Sequence, residues 1–172
     1  MRNLLLAAAA VTAIAAPAAA QTIPNAYGSI GYSSVQGDDA DLGAVTARLG
    51  TRFNQYIGVE GEASLGVDDD SIAGVPNSSV ELEHDLAAYV TGTVPVAQNL
   101  ELFGRVGYGT TKIKAEVGGV SASDSEESVN YGVGANYLLD GQNGVRADWT
   151  RRDFRNGGGD ADVWSLSFVR KF

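Results

Sequence analysis

Residues 163–172 read VWSLSFVRKF. Trp164, Leu166, Phe168 and Phe172 take every second position, with Arg170 as the single break. A period of two marks a β-strand with one apolar face. Chain ends are ordinarily frayed and polar. An aromatic last residue inside a strand pattern therefore asks for a fold that uses it. A closed barrel is such a fold: closure pairs the last strand with the first and draws Phe172 into the sheet.

The other end begins MRNLLLAAAAVTAIAAPAAAQ. Arg2, an apolar run from Leu4 to Ala16, and Ala18-Ala19-Ala20 give the three parts of a secretory leader. The run is too short to cross a bilayer as a helix. Residues 1–20 are expected to be a cleaved signal peptide, and residues 21–172 one exported domain.

Composition removes several function classes. There is no cysteine, so disulfides, thiolate nucleophiles and Cys-bound metals are excluded. The only histidine is His84, which rules out chemistry needing two imidazoles. A net charge of −9 argues against nucleic acid, whose phosphates need clustered Lys and Arg. The 22 Gly against 4 Pro suit strands and tight turns. Mean hydropathy is −0.06, a soluble value. Alternating transmembrane strands average to the same figure, so it decides nothing.

Eight alternating runs follow, at about Ala26–Val35, Leu42–Phe53, Tyr56–Val67, Glu81–Val94, Leu100–Lys114, Ser128–Leu139, Val145–Phe154 and Asp162–Phe172. Their connections alternate in kind. NQ, PVAQN and DGQNG are short and turn-like, whereas QGDDAD, DDDSIAGVPNSSV, AEVGGVSASDSEE and RNGGGDA are mostly longer and acidic. Short turns at one end and longer loops at the other are the pattern of a barrel across the outer membrane.

The faces of the runs set the environment. Ile57, Val59, Ala63 and Leu65 oppose Gly58, Glu60, Glu62 and Ser64, and Val145, Ala147 and Trp149 oppose Arg146, Asp148 and Thr150. The polar faces carry both signs: Arg48, Arg52, Arg105, Arg146 and Arg152 against Glu60, Glu62, Glu81, Glu83, Asp85, Glu101 and Asp148. Mixed signs suit a closed interior in which each charge needs a partner. Charges on the apolar faces (Arg151, Asp153, Arg170) fall near strand ends, where a bilayer tolerates them. The expectation is an all-β, eight-stranded, antiparallel up-and-down transmembrane barrel. Its lumen is filled by a network of Arg48, Arg52, Glu60, Glu62, Glu81, Glu83, Glu101, Arg105, Arg146 and Asp148. A narrow pore for small solutes is the first alternative. A soluble barrel binding an apolar ligand, with the faces inverted, is the second.

The leader, the alternating runs, GRVGYG (Gly104–Gly109), YGVGANYLL (Tyr131–Leu139) and the terminal WSLSFVRKF together resemble the small outer-membrane β-barrel proteins, the group of the OmpA transmembrane domain, OmpX and the opacity-type surface proteins. The resemblance spans residues 21–172. It implies an outer-membrane location, contact with outer-membrane lipid and lipopolysaccharide, and a structural or adhesin-like role through acidic surface loops. It also implies that Trp164, Leu166, Phe168 and Phe172 form the signal read by the barrel-assembly machinery. Arg170 departs from that pattern.

No motif points to catalysis, a cofactor or a metal. GRVGYG lacks the strand–loop–helix context of a nucleotide loop, and glycine in a tightly curved strand explains it. Asp68–Asp70 lack the ligand spacing of a calcium loop and read as solvated charge. His84 and Asp85 are adjacent on a strand, so they point to opposite faces and cannot work as a catalytic pair.

Overall fold

The computed structural model describes residues 25–37, 41–67, 69–70, 78–117, 120–155 and 159–172. The expected leader and the tips of the longer connections lie outside these residues. Eight long strands form the wall. They are β1 (Ala26–Gln36), β2 (Asp41–Arg52), β3 (Ile57–Gly66), β4 (Ser78–Pro95), β5 (Leu100–Val117), β6 (Val120–Leu138), β7 (Asn143–Phe154) and β8 (Asp160–Lys171). A two-residue piece, Asp69–Asp70, extends the β3 side by pairing with Glu81 and Val80.

Each strand pairs antiparallel with its neighbour in sequence, and β1 pairs with β8 from Tyr27↔Lys171 to Gln36↔Asp162. The sheet closes into an up-and-down barrel. Closure lets the paired wall satisfy its backbone without water, which a membrane demands, while among the described residues the part of β6 before Ser128 is paired on one side only, with β5. The seam reaches the last residue, whose N–H donates to Ala26 O at 2.9 Å.

Short connections tie one end. Asn54 Oδ1 accepts from the N–H groups of Tyr56 and Ile57 at 2.8 and 2.9 Å. Asp140 Oδ1 accepts from Gln142 N–H at 2.9 Å and Asn143 N–H at 2.5 Å. Gly141 sits between them with φ of 83°, a left-handed conformation open to glycine.

In β3 and β8 burial alternates residue by residue, and in the sense opposite to a soluble protein. In β3 Gly58, Glu60, Glu62 and Ser64 are buried, while Ile57, Val59, Ala63 and Leu65 are exposed. In β8 Val163, Ser165, Ser167 and Val169 are buried, while Trp164, Leu166 and Phe168 are exposed. The inside is polar and the outside apolar, so the soluble-barrel alternative does not fit. On the apolar face near the long-loop end, Arg151 is held by Asp160 and Asp162, and Trp149 Nε1 donates to Asp162 Oδ1 at 3.1 Å.

Two expectations need correction. Most of AEVGGVSASDSEE is strand, not loop: β5 and β6 pair along it up to Val117↔Val120. Its Ser- and Glu-rich composition carries no apolar period, so nothing in the pattern reveals the strand. The alternation in β4 is also broken. The register passes from Leu82↔Ile113 to His84↔Lys112 and skips Glu83, a bulge that resets the count between Glu81 and Asp85.

Candidate functional site

The lumen is crossed by a layer of paired charges. Glu60 and Glu62 enter from β3, Arg48 from β2, Arg105 from β5, and Arg146, Asp148 and Arg152 from β7. Asp85 joins from β4. In these ion pairs every side chain is at most 3% exposed. Each lies at the locally inward parity of its strand.

Glu60 takes both arms of Arg146, at 2.6 and 3.0 Å, and Arg105 Nη1 at 3.1 Å. Tyr27 Oη donates to its Oε2 at 2.9 Å. Glu62 accepts from Arg48 Nε at 2.6 Å, Arg105 Nη1 at 2.8 Å, Arg152 Nη2 at 3.0 Å and Tyr89 Oη at 3.2 Å. Asp148 accepts from Arg105 Nη2 at 2.9 Å, and from Arg48 Nη2 and Arg146 Nε at 3.3 Å each. Asp85 accepts from Thr111 Oγ1 at 2.7 Å. Its second oxygen lies 2.7 Å from Arg152 Nη2, an ion pair too bent to count as a hydrogen bond. In an eight-stranded ring β3 faces β7, so the Glu60–Arg146 and Glu62–Arg152 links span the diameter. Four buried cations meet four buried anions, and the layer balances.

Aromatic rings seat the guanidiniums. Tyr89 lies 4.4 Å under Arg105, Phe103 4.1 Å under Arg146, and Tyr27 5.6 Å from Arg52. Each ring has a glycine directly across the ladder: Tyr27↔Gly50, Tyr89↔Gly107 and Phe103↔Gly134. A Cβ on Gly50 would fall 2.4 Å from the Tyr27 ring, and one on Gly134 would fall 2.5 Å from Phe103. The glycines give the rings room, and the rings give the arginines a flat support.

At the short-turn rim Arg52 grips Glu101 with two bonds of 3.1 and 2.8 Å, and Lys171 Nζ adds a third at 2.5 Å. Of the residues expected in the network, Arg48, Glu60, Glu62, Arg105, Arg146 and Asp148 meet in the layer. Arg52 and Glu101 form the separate rim pair. The side chains of Glu81 and Glu83 lie outside the described residues, as do those of Asp68–Asp70. The expected network omitted Asp85, Arg152, Tyr27, Tyr89 and Phe103. The first two lie on the charged faces already read. The three aromatics carry a usable signal: each falls at the polar parity of its strand.

The expected assembly residues Trp164, Leu166 and Phe168 are exposed on the outer wall, and Phe172 is half-buried. Asp85 points into the lumen and His84 is only partly covered, so the two do not act together.

Comparison with known proteins places this geometry. No curated protein sequence matches the chain. Among solved structures, Ail, the attachment invasion locus protein of Yersinia pestis, is 20% identical with a TM-score of 0.64, over 87% of this chain and 99% of that one. OprG from Pseudomonas aeruginosa is 12% identical with a TM-score of 0.65, over 86% and 96%. The N-terminal β-barrel domain of Pseudomonas aeruginosa OprF is 13% identical with a TM-score of 0.61, over 86% and 98%. At these identities the likeness is one of fold. Residues 4–172 match the family described as the outer membrane protein beta-barrel domain, and the chain belongs to that family.

Proposed function

We propose that this protein is a sealed, non-catalytic barrel that anchors acidic loops at the surface of the outer membrane, and that it is not a porin. One observation carries the reading. The balanced layer of Arg48, Arg105, Arg146 and Arg152 with Glu60, Glu62, Asp85 and Asp148 braces opposite walls. Eight strands enclose a space just wide enough for side chains to fill. Purified barrel in planar bilayers is expected to show no steady conductance of porin size. A stable, large, ion-selective conductance from the unmodified protein would overturn the sealed reading and establish the narrow pore.

The interaction surface is then the long connections. The Asp-rich QGDDAD and DDDSIAGVPNSSV segments suit a partner with a basic surface. Ail has been solved in complex with the heparin analogue sucrose octasulfate. A polysulfate would be repelled by these segments, so a ligand of opposite charge fits this chain. Residues 1–20 act in this reading as a removed leader, and the mature protein is expected to begin at Gln21 by intact mass.

A further inference from the structure

The outer wall is uneven. Around β6 to β8 it is bulky: the Trp149 ring lies 6.4 Å from Tyr131 on one side and 6.4 Å from Trp164 on the other. Around β1 to β4 it is thin, because Ala47 pairs with Ala63 and Gly61 with Ala88. These small residues floor a groove of about 1220 Å³ on the outer surface. It begins at Phe168, Arg170 and Phe172 and ends at Tyr108 and Glu127. The floor is open: a Cβ placed on Gly61 meets nothing closer than Leu49 O at 3.9 Å.

The groove follows one register row, Arg170↔Gly28↔Leu49↔Gly61↔Ala88↔Tyr108. Its five inter-strand steps cover about 24 Å at the usual strand spacing. With strands tilted by roughly 40°, the row climbs about 15 Å along the barrel axis. That is half of a hydrocarbon core of about 30 Å, or one leaflet. The row starts at the short-turn rim, since Arg170 is next to the last residue of β8.

The two ends differ in charge. Arg170 is exposed, stands 5.9 Å from the Phe172 ring, and has no carboxylate in ion-pair reach among the described residues. At the far end Glu127 accepts from Tyr108 Oη at 2.5 Å. A cation therefore stands at the membrane interface and an acid deep along the wall. The geometry points to a site for an anionic phospholipid of the inner leaflet, with its phosphate on Arg170 and one acyl chain laid along the groove toward Tyr108. The site rests on the reading of this wall as lipid-facing. It also gives Arg170, the residue that breaks the terminal apolar period, a reason to be there.

The test uses the folded full-length protein in phosphatidylcholine nanodiscs containing a minor fraction of phosphatidylglycerol, with the lipid retained on release counted by native mass spectrometry. The parent is expected to retain phosphatidylglycerol in preference to phosphatidylcholine. Arg170→Gln should lower that preference roughly tenfold, as loss of one charge-assisted bond does, and Arg170→Lys should keep most of it. Gly61→Phe fills the groove from a position with room for a side chain, and should abolish retention while leaving the barrel folded. Competing inorganic phosphate should change nothing, since the chain must occupy the groove. Equal retention of both lipids by the parent, or unchanged retention in Arg170→Gln and Gly61→Phe, overturns the site and leaves the membrane barrel standing. Failure of the parent to insert into lipid at all overturns both.

Discussion

At the scale of the residue, the lumen charges are strong only as a set. Removing one member of a buried pair strands the others and costs about 3–5 kcal/mol. Arg105 touches Glu60, Glu62 and Asp148 at once, so it is the most exacting position. Arg105→Ala is expected to lose about 3–5 kcal/mol in urea unfolding from lipid vesicles. Arg52→Ala, at the partly solvated rim where Lys171 still holds Glu101, should lose only about 1 kcal/mol. Equal losses would show that the layer is not what braces the barrel. The seating glycines give a second contrast. A Cβ on Gly107 would fall 2.1 Å from Ala88 O and 2.7 Å from the Tyr89 ring, so Gly107→Ala should cost about 1–3 kcal/mol through overpacking. Gly92 has nothing within 4 Å of its Cβ, and Gly92→Ala should be neutral or stabilising by up to about 1 kcal/mol. The acids and arginines of the layer were legible in the sequence because parity alone puts them inside. The seating was not, because which ring faces which glycine depends on register, and register is a property of two strands.

At the scale of the element, β2, β3, β7 and β8 are readable because a lipid-facing wall forces an apolar residue at every second position. The outer halves of β5 and β6 escape that rule, as nothing compels their Ser- and Glu-rich stretch to alternate. The bulge at Glu83 is hidden for the same reason: one inserted residue leaves no mark on composition. The turns are legible from their chemistry. In the turn after β6, the backbone N–H of Asn143 does most to hold the Asp140 carboxyl down to about 2. The Asn143 side chain and the Gln142 N–H reinforce it. A carboxyl depressed in the folded state adds stability above its unfolded value of about 3.9, and that stability is lost as pH falls toward about 2. The turn is therefore expected to stay closed at pH values where a free aspartate is already half protonated. In micelles, the Asn143 amide resonance should titrate with a midpoint near 2, and Asp140→Asn should remove that transition. A midpoint near 4 would mean that the three bonds to Asp140 do not hold in solution.

At the scale of the whole molecule, the fold depends on one seam. Seven of the eight junctions join strands adjacent in the chain, where a turn or loop keeps the partners close. The β1–β8 junction brings together the two ends of the domain, and its loop-closure cost is the largest. Its ladder runs from Gln36↔Asp162 to Tyr27↔Lys171, and the N–H of Phe172 adds a last bond to Ala26 O. The Phe172 ring would lie 3.7 Å from a Cβ on Gly28, so it covers Gly28 of the first strand and packs across the junction. Removing Phe172 takes away that bond and that contact where the barrel must meet itself. It also removes the end of the alternating series Trp164, Leu166, Phe168 and Phe172, whose first three members are exposed on the outer wall. A protein lacking Phe172 is expected to reach the outer membrane in smaller amounts, with less of the compact, heat-modifiable form on unboiled gels. Refolding the same variant in detergent separates the two causes. If it folds there at the parent rate, the deficit in cells comes from assembly. If it folds slowly there too, the deficit comes from the seam. Normal amounts of folded, protease-resistant barrel in cells would remove Phe172 from both roles.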